Sequence, residues 1–297
     1  MVTGSGSPVQ LPITDAHHHV WDLSVRPQPF LHSDEALAPL RRSFPIAEFE
    51  PQAAAAGVTS SVVIQTVTEP GETPELLALA AATPLPRAVV GWVDVEAPDA
   101  GDAIGLLRAG PGGRFLAGLR HPLLTEADPS WLSRPAVRRG LAAAAAAGLS
   151  FDLVLRPGQL PSAVEAGAAL PQLTFVLDHL GNPDIGSGLP PDPAWKGAFL
   201  AFAELPNTFC KLSSLAIAPG SHNDAPLRAY ADIALEAFGP DRLMFGSDWP
   251  VSTLTAPYGE VVATGLALIA GLSPSERAAI LAGTAHRVYG CPPRTSS

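Results

Sequence analysis

Eight short apolar runs punctuate this chain: Leu11–Ala16, Ser60–Gln65, Ala88–Val93, Phe115–Leu119, Leu149–Leu155, Leu173–Leu177, Thr208–Leu212 and Leu243–Phe245. They are rich in Val, Ile, Leu and Phe, the side chains of strands buried on both faces, and such strands belong to parallel sheets. Helix signals separate most of them. Ser133 and Pro135 open an Ala-rich stretch that Gly148 closes; Ser273, Pro274 and Glu276 form a capping box for a final helix ending near Gly290. Ala-rich residues before Gly57, and Ala225–Phe238 before Gly239, read the same way. Strand and helix alternating eight times within 297 residues predict a closed (β/α)8 TIM barrel, one domain over residues 11–290. Residues 1–10, rich in Gly and Ser, and residues 291–297 are expected to be flexible tails. The 32 prolines fall mainly between the runs, as rigid βα loops require. No GxGxxG or P-loop cluster follows the first run, which argues against a nucleotide fold.

A formal net charge of −10 repels nucleic acid and anionic membranes, and no basic patch offsets it. No apolar stretch reaches the roughly 18 residues of a membrane span, and residues 1–12 lack the profile of a signal peptide. The expectation is a cytoplasmic protein that acts on a small molecule, with a homo-oligomer left open. Cys210 and Cys291 are the only cysteines, too few for a disulfide framework or a Cys-based zinc site.

Polar residues gather where the runs end, and in a barrel those C-terminal ends meet on one face. After the first run come Asp15, His17 and His19, which strand alternation places on one side, turning His18 away. Two such imidazoles can share a metal ion or a substrate oxygen, or can be hydrogen-bonded structural histidines. His179 follows the sixth run and Asp248 the eighth. Burying several ionisable groups is costly unless they are paired or ligating, which favours one site built from His17, His19, His179 and Asp248 over packing.

Four segments carry a family resemblance: Ile13–Asp22, Asp178–Pro183, Cys210–Leu215 and Met244–Val251. Together they resemble the amidohydrolase-related (amidohydrolase 2) branch of the amidohydrolase superfamily, and within it the sugar-acid lactonases that act on L-fuconolactone or L-rhamnonolactone. The resemblance implies a barrel of the metal-dependent-hydrolase type, with His17, His19 and His179 as metal-ligand histidines and Asp248 as a metal ligand and general base. It also has departures. Two-metal members place a carboxylated lysine or a glutamate after strand 4 and a histidine after strand 5; this chain has Arg120-His121 and Leu155-Arg156 there. The choice therefore lies between a single divalent ion, zinc by preference and weakly bound, and no metal.

Lys211 is one of only two lysines and sits inside an apolar run with Ser213 on its side. A buried lysine needs a partner. It is either an electrophile for a substrate oxygen or one half of an ion pair closing the barrel bottom. Arg120, His121, Arg156 and Gln65 end other strands and are candidate ligands for polyol oxygens, while Trp21 and Trp249 suit either a sugar face or the core. Substrate choice is assigned to the long loops at 20–45, 181–193 and 216–226. The expected reaction is hydrolysis of a sugar-acid lactone by water that Asp248 deprotonates, with His179, Lys211 or Arg120 stabilising the oxyanion. A decarboxylase or another ester or amide hydrolase of the same superfamily, and a silent metabolite-binding barrel, are the rivals.

Overall fold

A computed structural model describes residues 11–185, 189–214 and 225–291. Its strands are β1 Ile13–His18, β2 Val58–Ile64, β3 Pro86–Gly91, β4 Leu116–Pro122, β5 Ser150–Val154, β6 Thr174–Leu177, β7 Thr208–Leu212 and β8 Leu243–Phe245, all parallel and in chain order. Each coincides with one apolar run to within a few residues at its ends. A bridge between His18 and Trp249 brings the last strand back to the first, and the His19 amide donates to the Trp249 carbonyl at 2.7 Å. The result is the expected (β/α)8 barrel.

One helix covers each crossover: α1 Ile46–Ala55, α2 Glu72–Ala82, α3 Ala100–Ala109, α4 Pro135–Ala146, α5 Leu160–Ala169, α6 Pro193–Ala203 and α7 Ala225–Phe238, with α8 Tyr258–Leu268 after β8. The chain ends in α9 Pro274–Ala278 and α10 Thr284–Tyr289. The stop signals work through backbone conformation: Gly57, Gly148, Gly239 and Gly290 all take positive φ just beyond a helix, where a side chain would be strained. Ser273 and Glu276 form the anticipated capping box. The final helix is not continuous, because a π turn over Ala279–Gly283 separates α9 from α10. Among the described residues no helix is long and apolar enough to cross a membrane.

Two apolar layers result. The larger lies between strands and helices and includes Phe49, Leu77, Ile104, Leu141 and Phe199. The smaller fills the barrel itself, where Ala16, Val62, Ile64, Ala88, Val90, Val176 and Met244 meet Ala285, Tyr289 and Cys291 from the chain's end. Cys291 is buried, and its thiol points at the Ser61 carbonyl 3.5 Å away. The final segment thus plugs the barrel from below. Both cysteines are buried and free.

Strand β1 departs from simple alternation. Asp15 pairs with Ser61 and His18 with Val63, so three steps along β1 span two along β2. This β-bulge re-aims the side chains around it. Asp15 consequently faces outward, accepting from the Ser247 amide at 2.8 Å and from the Tyr258 hydroxyl of α8 at 3.1 Å, whereas His17 faces inward. The expectation that Asp15 shares a side with His17 is therefore corrected: period two fails across a bulge.

Candidate active site

The four ends named by the sequence do meet. His17 Nε2 lies 3.1 Å from His19 Nε2, and the Asp248 carboxylate oxygen Oδ1 lies 3.7 Å from His17 Nε2, 3.5 Å from His19 Nε2 and 3.9 Å from His179 Nε2. All four residues are buried. Partners outside the cluster orient each ring. His19 Nδ1 is 2.9 Å from the Ile64 carbonyl, which can only accept, so Nδ1 carries the proton and Nε2 presents a lone pair to the cluster. His179 Nδ1 is 2.8 Å from Ser213 Oγ.

The local backbone is bent to achieve this. His179, Leu180 and Asn182 after β6, and Asp248 after β8, all have φ between +52 and +62. Left-handed backbone at a non-glycine residue costs about 1–3 kcal/mol and persists only where the surroundings enforce it. Here the Asp248 amide donates to the His17 carbonyl at 2.8 Å and the Ser247 amide is held by Asp15. His18, by contrast, stacks on Phe49 of α1 at 4.3 Å and bonds Ser61, and burial pushes its imidazole down to about 3. It remains a neutral packing group.

Beneath the cluster lies a second, fully buried charged layer. Lys211 Nζ is 2.6 Å from Asp152 and 2.9 Å from Asp178, and Tyr289 from the C-terminal plug donates to Asp152 at 2.7 Å. Asp178 also faces His17 Nδ1 at 3.3 Å and Arg120 at 3.1 Å. Burial alone would raise the Asp178 carboxyl, but Lys211, His17 and Arg120 hold it well below the usual carboxylate range. Burial raises Asp152 and, with Asp178 alongside, outweighs the opposing pull of Lys211. Burial also lowers His17 and His179, keeping both rings neutral. It would raise Asp248, yet the contacts with the histidines pull that carboxyl far down. At neutral pH the Asp248 carboxylate therefore faces the neutral imidazoles of His17 and His179, donors of the kind a divalent cation takes.

The remaining candidates divide. Arg120 points inward, its guanidinium held by Asp178 and the Gln65 carbonyl and 3.4 Å from His17 Nε2. Gln65 donates to the Arg120 carbonyl while its own Oε1 has no partner among the described residues. His121, next along β4, alternates outward to stack on Trp131 at 4.3 Å and bond Glu126. Arg156 is exposed and donates to the Glu126 carbonyl. Trp21 is packed against Phe30 and Phe44 with its indole N–H on the Arg42 carbonyl, and Trp249 packs against Phe44 and Phe49. Among the described residues, no hydrogen bond, ion pair or ring contact ties the His121, Arg156 or Trp21 side chains to the histidine cluster. The loop positions 216–224 and 186–188 lie outside the described residues. Asp152, Asp178 and Tyr289 were not singled out by sequence reasoning. Asp178 could have been, since it precedes His179 at a strand end; nothing local marks Tyr289.

A metal ion fits these residues. In a tetrahedral site, two nitrogens each about 2.1 Å from one ion lie about 3.4 Å apart, close to the His17–His19 spacing of 3.1 Å. Ligand atoms of His17, His179 and Asp248 all lie within 4.8 Å of one another.

Eight parallel strands that bring first-strand histidines, a sixth-strand histidine and an eighth-strand aspartate to one mouth define a barrel hydrolase. The chain belongs to the amidohydrolase family, whose sequence model matches residues 14–291. It is 35% identical over 247 residues to the L-fucono-1,5-lactonase of Burkholderia ambifaria, covering 83% of each chain. It is 33% identical over 289 residues to that of Burkholderia multivorans, covering 94% of this chain and 96% of the relative. A crystal structure of an amidohydrolase from Burkholderia multivorans with bound zinc superposes with a TM-score of 0.85 at 32% identity, covering 95% of this chain and all of that one.

Proposed function

We propose that this protein opens sugar-acid lactones by hydrolysis, with L-fucono-1,5-lactone the first substrate to try and one zinc ion bound by His17, His19, His179 and Asp248. The carrying observation is the Asp248 carboxylate facing three imidazoles at 3.5 to 3.9 Å. Relatives that are L-fucono-1,5-lactonases, and a relative that binds zinc, support the substrate and the ion.

Lactone hydrolysis requires an activated water, a polarised carbonyl and a proton for the leaving ring oxygen. When bound, a divalent ion supplies Lewis acidity and makes water a better nucleophile near neutral pH. Asp248 takes one proton from the attacking water as its oxygen bonds the carbonyl carbon. The carbonyl oxygen gains negative charge, which the Lewis acidity of such an ion would offset. As the ring C–O bond breaks, Asp248 returns its proton to the departing oxygen, leaving a hydroxyl and a carboxylic acid. Gln65 Oε1, buried and unpaired among the described residues, is suited to accept from a sugar hydroxyl. Arg120, already spent on Asp178 and the Gln65 carbonyl, serves to hold those groups. The net charge of −10 fits a neutral substrate and no nucleic-acid partner.

Acid release from a panel of aldonolactones, read by a pH indicator with and without chelator, tests this directly. Turnover of L-fucono-1,5-lactone or a close stereoisomer is expected. Absence of hydrolysis across the whole panel, with turnover of an unrelated ester, would refute the substrate class.

A further inference from the structure

The end of β2 does more for the mouth than its length suggests. The Ile64 carbonyl accepts from His19 Nδ1 at 2.9 Å. The Gln65 carbonyl accepts from the Arg120 guanidinium, and Gln65 Nε2 donates to the Arg120 carbonyl at 3.0 Å. The orientation of His19 therefore depends on how firmly the chain is held just past Ile64. Among the described residues, the amides of the next two residues, Thr66 and Val67, find no backbone acceptor.

Glu72, the first residue of α2, supplies what is missing. Its carboxylate accepts from the Thr66 amide at 2.9 and 3.0 Å, from the Val67 amide at 3.1 Å and from the Thr66 hydroxyl. Only 4% of Glu72 is exposed, and a buried carboxylate is costly unless its oxygens are bonded. Thr73, next along the helix, treats β3 in the same way: its hydroxyl accepts from the Trp92 amide at 2.8 Å and donates to the Trp92 carbonyl at 3.0 Å. Consecutive side chains in one helical turn thus staple neighbouring strand ends. Only the first staple leads to the cluster, because among the described residues no hydrogen bond joins Trp92 to His17, His19, His179 or Asp248. On the outer side of the turn Arg26 bridges Glu69 and Glu75, but both carboxylates are about half exposed, and such pairs contribute little.

We infer that Glu72 is a positioning residue: by fixing Thr66 and Val67 it holds the Ile64 carbonyl, and through it the His19 ring, in place beside Asp248. Its effect on rate rests on the lactonase reading above, whereas its hold on His19 is a matter of geometry alone.

Glu72→Met keeps the reach of the side chain and removes both acceptor oxygens. Glu72→Gln keeps one oxygen for the two amides and offers an N–H to the Thr66 hydroxyl, which can accept. Lactone kcat is expected to fall about tenfold in Glu72→Met, the lower end of what supporting partners of site histidines control, with KM little changed. Glu72→Gln should restore most of that loss. Thr73→Val, equal in shape, strips Trp92 of its partner and should lower the melting temperature while leaving kcat near parental. Crystal structures of the parent and Glu72→Met give a readout that needs no substrate: the Ile64 carbonyl and the His19 ring should shift by about 0.5 Å or more, the tolerance of a working site. A Glu72 that serves the fold alone would make Glu72→Met resemble Thr73→Val, with a lower melting temperature, parental kcat and an unmoved His19; that result overturns the inference, as does Glu72→Gln as slow as Glu72→Met. Should Glu72→Met not fold, Glu72→Asp draws the carboxylate back by one methylene and is expected to slow turnover and shift the ring; parental kcat with an unmoved ring there overturns the inference equally. No lactone turnover in the parent, with the ring shift observed, would reject the lactonase reading and leave the hold on His19 standing.

Discussion

The amide of Asp248 donates to the carbonyl of His17 at 2.8 Å, tying the end of the last strand to the end of the first. That bond fixes where the carboxylate sits relative to the imidazoles, because it acts on backbone rather than on a rotatable side chain. Asp248→Asn keeps the amide and a side chain that tolerates its φ of 62. It removes the base and, with it, the one negative charge among the proposed metal ligands. Lactone kcat is expected to fall by about 10²–10⁴, the usual contribution of a general base, with thermal stability near that of the parent. Near-parental turnover of every substrate would remove Asp248 from the mechanism.

Gly246 is close to His17 for a reason that a substitution can expose. A Cβ at position 246 would lie 2.7 Å from the His17 Cβ, closer than real Cβ atoms come, and a tight 3.1 Å from its amide nitrogen. Gly246→Ala must push His17 aside. An overpacked core position loses about 1–3 kcal/mol of stability, while displacement of a reacting group by about 1 Å can cost about 10²-fold in rate. Chemical denaturation and kcat/KM measured on one preparation should show the larger loss in catalysis.

Ser213 orients His179 through its hydroxyl, 2.8 Å from Nδ1. Ser213→Ala leaves the ring free to turn and should lower metal affinity or kcat/KM by about 10–100-fold. Threonine at this position keeps the hydroxyl, so Ser213→Thr is expected to retain more function than alanine does. Equal activity in all three proteins would mean that the hydrogen bond orients nothing.

The zinc ion proposed at His17, His19, His179 and Asp248 is expected to come off on extended dialysis against a chelator. The lactonase rate is expected to drop and to recover when zinc is restored at one equivalent, read by metal analysis alongside the assay. An undiminished rate in protein shown to be metal-free would mean that the histidines act as hydrogen-bonding groups.

Much of this arrangement was legible before any coordinates. Apolar runs mark strands buried on both faces, and polar residues at their ends are placed at the mouth as soon as the barrel closes, which is why His17, His19, His179 and Asp248 could be named together. Arg120 and His121 were both placed at the end of β4 without a reading of which faces inward, and alternation failed at Asp15 because a bulge shifts the register. Trp21 and Trp249 show the limit of residue type: an indole suits a sugar or a core equally, and only neighbours such as Phe44 decide.

The local sequence alone determined the strands, the helix ends and the four groups at the mouth, since periodicity and capping act over a few residues. The partners of Lys211 were decided by tertiary structure. Asp152 is 59 positions away from it along the chain, and Tyr289 reaches Asp152 across 137. Contacts over such separations depend on how the barrel staggers its strands and on where the C-terminal segment enters from below. Neither leaves a periodic trace in the chain, because both arise only when distant parts compete for the same interior.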